Sequence, residues 1–190
     1  VTLIIMRLKN NFFNRNTIVV ARQLLGKYLC RRINGKVIRA KITETEAYCG
    51  QEDLACHASR GLTERTKVMF GPPGHAYIYL IYGMYHCLNV VTREVGCPEA
   101  VLIRGVEIQN AKIKMQNDKS KFKINGPGRI CRELKIDKKL NGIDLCSSKG
   151  LWIESASRRK VEQPAKIKKG KRIGVDYARK WKNKLWRFYI

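Results

Sequence analysis

"KYLCRRINGKVIRAKITETEAY", Lys27 to Tyr48, is the stretch on which the fold turns. Asn34-Gly35 stands between two runs of strand-forming character. A type I′ turn needs positive φ at both central positions, and Asn-Gly meets that need at the lowest steric cost. The stretch is expected to be an antiparallel hairpin. Upstream, "NRNTIVVARQLLG" reads as a helix. Asn16 or Thr17 can cap it, Val20, Leu24 and Leu25 recur at helical spacing, and Gly26 stops it. Downstream, "AYIYLIY" and "HCLNVVT" read as strands joined through Gly83, and "AVLIRGVEI" from Ala100 as another. "GPPG", Gly71 to Gly74, is a loop, and "GPGRICREL" sets Gly126-Pro127-Gly128 before a short helix. "NAKIKMQNDKSKFKIN" is basic and polar, read as a helix followed by a loop, and the tail alternates short strands and turns. There is no internal repeat and no linker. The expectation is one α+β domain over residues 1–190, with a mostly antiparallel sheet.

The chain has 190 residues and 44% hydrophobic content, enough for a real core and too much for disorder. Lys and Arg number 39 against 15 Asp and Glu, a net charge of +24 with a pI near 10.1. Such a surface is drawn to polyanions, nucleic acid first. An anionic membrane is the second candidate, but no long amphipathic basic helix stands out. Compositional bias contributes too, since "KIKKGKR" and "KMQNDKSKFK" read as solvated runs. The opening "VTLIIM" is too short for a signal peptide or a membrane span, so a soluble intracellular chain is expected. Seven cysteines, an odd count without a CxxC, point to a reducing compartment. Cys56-His57 and His86-Cys87 lack the paired spacing of a zinc site, and the zinc deaminase signature is missing. No metal and no cofactor is expected.

Three constellations carry chemistry. In "ETEAY", strand alternation puts Glu44, Glu46 and Tyr48 on one face. This is either an ordinary polar face or a carboxylate beside a stacking ring. His57 follows in "ACHASRG", and a lone histidine is more often packed or solvated than catalytic. The second is "HAYIYLIYGMYHCLNV", His75 to Val90, which holds four of the eight tyrosines. Tyr77, Tyr79 and Ile81 share one face, and Ile78, Leu80 and Tyr82 the other. One face is core on the plain reading. Alternatively Tyr82 and Met84 form an exposed tip around Gly83, able to wedge into a base stack. The third is "GPGR", a glycine-rich turn that can present N–H groups to phosphate, a weak signal alone.

With these motifs the chain resembles the 3-methyladenine DNA glycosylases of the alkyladenine type. The resemblance rests on "FFNRNTIVVARQLLGKYLCRR", "ITETEAYCGQEDLACHASRGLTERTKVMFGPPGHAYIYLIYGMYHCLNV", "VLIRGVEI", "NGPGRICREL", "GIDL" and "RIGVDYARKW…WRFYI". These stretches run in the family's order from about Arg7. "VTREVGCPEA" and the basic run Lys112 to Lys123 match poorly, leaving flanking DNA contacts there open.

The resemblance implies an α+β fold around a curved antiparallel sheet, with no metal or cofactor in the chemistry. It implies that Glu46 activates water and that Arg104 helps hold it. Tyr48, His57 and Tyr79 correspond to residues enclosing a flipped base. Tyr82 corresponds to the ring that fills the gap in the duplex, with Met84 and Tyr85 beside it, and Asn89 to the position that disfavours guanine. The implied partner is double-stranded DNA with alkylated purines, met by a monomer that binds no membrane. The implied location is the cytoplasm with its nucleoid, or the nucleus in a eukaryote. A glycosidic bond inside a duplex is out of reach, so the nucleotide must be extruded. Two rivals are a non-catalytic basic nucleic-acid module, which leaves the carboxylates beside the tyrosines unexplained, and a glycosylase that attacks with a lysine amine.

Overall fold

The computed structural model describes residues 4–108, 122–157 and 166–190. After β1 (Ile4–Arg7) and a single turn of helix α1 (Asn10–Phe13), helix α2 spans Thr17–Leu24. Asn16 caps α2, its side chain accepting from the Ile18 and Val19 N–H groups, and Gly26 at φ +80° ends the helical segment. The hairpin follows as β2 (Tyr28–Ile33) and β3 (Lys36–Cys49). Asn34 and Gly35 take φ of 48° and 76°, the positive pair a type I′ turn demands.

A second hairpin joins β4 (Ala76–Ile81) to β5 (Tyr85–Thr92), and β6 (Glu99–Ile108) returns beside it. Then come β7 (Phe122–Asn125), helix α3 (Pro127–Glu133), β8 (Leu151–Ser157), β9 (Lys168–Gly170) and β10 (Arg187–Tyr189). The ten strands of the described residues form one curved antiparallel sheet in the order β1-β8-β2-β3-β6-β5-β4, with β7 on β6, β10 on β3 and β9 on β10. An α+β fold of this kind is what the element pattern predicts. One difference lies at Phe122–Asn125, expected as loop but a strand, because its backbone pairs with β6 from Gly105 to Ile108. The helix expected upstream of it falls mostly outside the described residues.

Strand β3 organises the sheet. One edge pairs with β6 from Ala40 to Cys49, while β2 takes the first part of the other edge and β10 pairs with it from Glu44 to Glu46. The register with β6 shifts at Ile42/Glu44 and again at Glu44/Thr45. The core side changes parity there. Ala40 and Ile42 are in the core before the break, and Ala47 after it. Thr45 also faces inward, donating to the Ala21 carbonyl of α2 at 2.8 Å. Strand β6 does the same, with Val106 in the core on one side of the break and Ile103 and Val101 on the other. This β-bulge turns Glu44, Glu46 and Tyr48 away from the helices. The core lies between the sheet and its helices, filled by Phe13, Val20, Leu24, Ile42, Ile103 and Ile130 among others.

Candidate active site

On the face opposite the helices, β3 presents its two carboxylates to Arg104, which stands at the matching break in β6. The Arg104 Nε lies 3.3 Å from Glu44 Oε1 and 3.6 Å from Glu46 Oε1. Arg187 on β10 donates to Glu44 Oε1 at 3.0 Å, so Glu44 bridges two arginines. Glu46 is fully buried. The Tyr48 hydroxyl donates to its Oε2 at 2.9 Å and the Ile173 N–H to its Oε1 at 3.0 Å. Burial pushes the Glu46 pKa above the ordinary 4.5, while Arg104, the Ile173 N–H and the Tyr48 hydroxyl pull it back.

In front of this cluster lies a cavity of about 130 Å³. Tyr48, His57, Tyr77, Tyr79, Asn89 and Arg104 line it, with Tyr82 at one rim and Tyr177 at another part of the wall. Strand alternation sends Tyr77 and Tyr79 to this side and Ile78 into the core. The Tyr77 and Tyr79 ring centroids are 5.4 Å apart, and His57 meets Tyr79 edge-on at 4.4 Å. Arg65 sits 5.1 Å above the Tyr79 ring. His57 Nδ1 is 2.9 Å from the Tyr77 hydroxyl. Burial first, then Arg65 and Arg60, lower the His57 pKa to about 4, so the ring is neutral at neutral pH. Asn89 is 3% exposed and donates from Nδ2 to the Tyr77 carbonyl at 3.2 Å, which holds its side chain in the cavity wall.

The β4–β5 connection decides between the two readings of the tyrosine run. The Met84 N–H bonds the Ile81 carbonyl at 3.1 Å, and Tyr82 and Gly83 take φ of 52° and 69°. Tyr82 is therefore on a tight turn rather than on a strand face, 82% exposed. Positive φ is strained for a bulky residue and occurs where surrounding structure enforces it, often at functional sites. Met84 and Tyr85 are exposed beside it but stand outside the cavity lining. Tyr85 instead packs against the start of α3, where a Cβ on Gly128 would come within 2.9 Å of it. Hence the tyrosines split: Tyr77 and Tyr79 are cavity wall, Tyr82 and Tyr85 an outer tip.

The fully buried Glu46 thus stands with Arg104 and Tyr48 at the back of an aromatic cavity, with an exposed aromatic tip at its edge. Residues 11–190 match the family described as Methylpurine-DNA glycosylase (MPG). The chain belongs to that family. A relative from Desulfitobacterium hafniense (strain Y51) is 46% identical, covering 97% of this chain and 95% of its own. One from Legionella pneumophila (strain Corby) is 48% identical over 97% and 94%, and one from Methanocella arvoryzae 46% over 96% and 91%. Each bears the name "Putative 3-methyladenine DNA glycosylase".

Sequence reasoning on this family member missed several residues of the site. Tyr77 stands on the face that strand alternation predicts, but as cavity wall, a role its sequence context does not mark. Ile173, Val175 and Tyr177 line the cavity from the C-terminal segment, far from the other lining residues in the chain. The buried pair Asp53–Arg172 behind them was also missed. The signals for this segment are the family resemblance carried by "RIGVDYARKW" and the charged residue directly before its apolar "IGV". Among the described residues no group of three or more His, Cys, Asp and Glu stands close enough to hold a metal, and no helix is long and apolar enough to cross a membrane.

Proposed function

We propose that this chain is a single-domain DNA glycosylase that removes 3-methyladenine and related alkylated purines from duplex DNA by hydrolysis. Family membership supports glycosylase activity, and the geometry supports the finer reading. The observation that carries it is the buried Glu46, paired with Arg104 and bonded by Tyr48 behind an aromatic cavity. The target nucleotide is extruded, and its base enters between Tyr48, His57 and Tyr79. An alkylated purine is electron-poor and often cationic, so it stacks strongly on electron-rich rings. Base–aromatic stacking contributes roughly 1–3 kcal/mol per base, comparable to the few kcal/mol that unstacking costs. Tyr82, with Met84 and Tyr85 beside it, fills the space the nucleotide leaves.

A cationic 3-methyladenine departs with little acid help. The ionised Glu46 stabilises the oxocarbenium-like sugar by its charge as the base leaves, then takes the proton of the water that bonds to the anomeric carbon, with Arg104 holding that water. A carboxylate with a raised pKa is the stronger base, and the Arg104 guanidinium beside it favours the ionised form. Glu46 is covered in this structure, so the entering nucleotide must open a path for that water past Tyr48 and Arg104. Among the described residues no lysine lines the cavity, which supports hydrolysis over attack by a lysine amine. The net charge of +24 supports duplex DNA as the partner, gripped through its phosphates by a monomer.

The test is single-turnover release of methylated bases beside a binding titration. Glu46→Gln is expected to bind lesion DNA nearly as wild type and to excise on the order of 10²–10⁴-fold more slowly, the usual cost of a lost general base. Glu44→Gln, which alters a carboxylate already shared by two arginines, is expected to be milder. Near-normal excision by Glu46→Gln sinks the reading. Borohydride trapping of a covalent complex would show lysine chemistry instead.

A further inference from the structure

The Arg172 side chain is entirely buried. Its guanidinium donates to both oxygens of Asp53, to the Ala47 carbonyl at 3.0 Å and to the Trp181 carbonyl at 3.2 Å. It also lies 4.9 Å from the Tyr48 ring and 5.0 Å from the Trp186 ring. Asp53 in turn accepts from the Cys49 and Ala55 N–H groups, each at 3.1 Å. One ion pair thus joins the end of β3, the loop leading to His57, and the C-terminal segment. A buried ion pair is a poor source of stability, because desolvating two charges consumes most of what their attraction returns. This one has another consequence. The residue after Arg172 is Ile173, whose N–H donates to Glu46 Oε1 at 3.0 Å. Ala47, held from the other side, is the residue between Glu46 and Tyr48.

We propose that Arg172, locked by Asp53, is a positioning residue that aims the Glu46 carboxylate and the Tyr48 ring at the cavity by holding Ile173 and Ala47. The inference rests on Glu46 being the base and adds what sets its orientation. Lysine cannot replace Arg172, since it lacks the planar fork that meets Asp53, Ala47 and Trp181 at once.

The readout is the acid limb of the pH–rate profile. Charged and titratable groups facing Glu46 are Arg104 on β6, Glu44 and Tyr48 on β3, and Cys87 on β5, while Arg187 on β10 reaches Glu44. The Ile173 N–H favours the ionised Glu46. Losing it favours the protonated form, so the limb moves to higher pH. The expected shift is about one pH unit, the size of one hydrogen bond to a charged group. The plateau rate is expected to fall by about ten- to a hundredfold, as for a misaimed catalytic group.

Arg172→Lys, Asp53→Asn and Ile173→Pro are to be compared in single-turnover excision across pH, with a binding titration for each. Ile173→Pro removes the N–H while leaving the ion pair, so it reads the same link if Arg172→Lys does not fold. All three are expected to move the limb upward and lower the plateau while still binding lesion DNA. A purely structural role lowers the active fraction and leaves the limb in place. A limb at the wild-type pH in the folded variants overturns the positioning role, and so does an unmoved limb in Ile173→Pro alone. If Glu46→Gln itself still excises, the reading of Glu46 fails and the positioning role falls with it. An inactive Glu46→Gln beside an unmoved limb overturns the positioning role alone.

Discussion

Gly105 lies against Glu44 so closely that a Cβ on the glycine would stand 2.8 Å from the Glu44 Cβ and 3.0 Å from Thr43 Oγ1. This contact sits at the break where β3 and β6 both change the side they show to the core. The missing Cβ is what lets Glu44 lie across β6 beside Arg104. Gly105→Ala is therefore expected to push β3 and β6 apart at the bulge. Overpacking of this kind costs about 1–3 kcal/mol. Displacing the Arg104–Glu46 pair should also slow excision on the order of tenfold. Thermal melts and single-turnover rates check both, and a variant with wild-type values in both would remove the bulge from the account.

Glu46 should cost the fold stability at neutral pH. Its folded pKa is raised above 4.5 by burial, so between these values the folded chain keeps a proton that the unfolded chain has lost. Its contribution to stability is full below the ordinary value and is lost as pH rises through the raised one. Glutamine can accept from the Ile173 N–H and donate to the Tyr48 hydroxyl without carrying charge. Glu46→Gln is thus expected to melt higher than wild type at pH 7, with the gap closing toward pH 4. Wild-type excision should fall as pH drops through the same raised value. A lower melting temperature for Glu46→Gln at pH 7 contradicts this.

Tyr82 combines strain and exposure, with φ at 52° and 82% of its surface open. It packs into no core, so its removal should not destabilise the chain. Tyr82→Gly relaxes the backbone and is expected to leave the melting temperature unchanged or higher. The same variant, and Tyr82→Ser, should capture the extruded nucleotide less well while non-specific DNA binding persists. A fluorescent base analogue at the lesion reports extrusion. Unaltered extrusion would deny Tyr82 its role as the plug.

Asn89 is pinned by its bond to the Tyr77 carbonyl, so its side chain meets any base in the cavity as a fixed wall. Guanine differs from adenine by an exocyclic 2-amino group, which such a wall rejects by clash and unpaired polar atoms. Asn89→Ala or Asn89→Ser is expected to raise release of undamaged guanine relative to lesions on the order of tenfold. Chromatography of freed bases measures the ratio, and an unchanged ratio counts against the assignment.

Much of this was legible in the chain. Asn34-Gly35 specifies its turn through two positive φ angles, and Asn16 its helix cap through one short side chain. These are local signals, each decided by a few neighbouring residues, and both appear where expected. "ETEAY" marks three side chains on one face, and they do share it. The family resemblance named Tyr48, His57, Tyr79, Asn89 and Arg104, and all five line one cavity.

Other features depend on chain segments far apart, and no local pattern encodes them. Simple alternation would put Ile42 on the face of Glu44 and Glu46. Ile42 is in the core because both β3 and β6 break their pleat at the same level, where Gly105 leaves room. Tyr77 and Tyr85 look alike in the sequence, yet one bonds His57 in the cavity and the other packs on Gly128 at the start of α3. Asp53 and Arg172 are 119 residues apart and meet only in the folded chain. By itself, then, the sequence marked most of the strands and the hairpin turns, because propensity and periodicity act over a few residues, and its resemblance to a family marked the candidate site residues. Only the tertiary structure decided which carboxylate is buried, which tyrosines are wall and which are tip, and what holds Glu46 in place. Burial and long-range hydrogen bonds arise when distant segments pack together, and that is where the chemistry of this site is set.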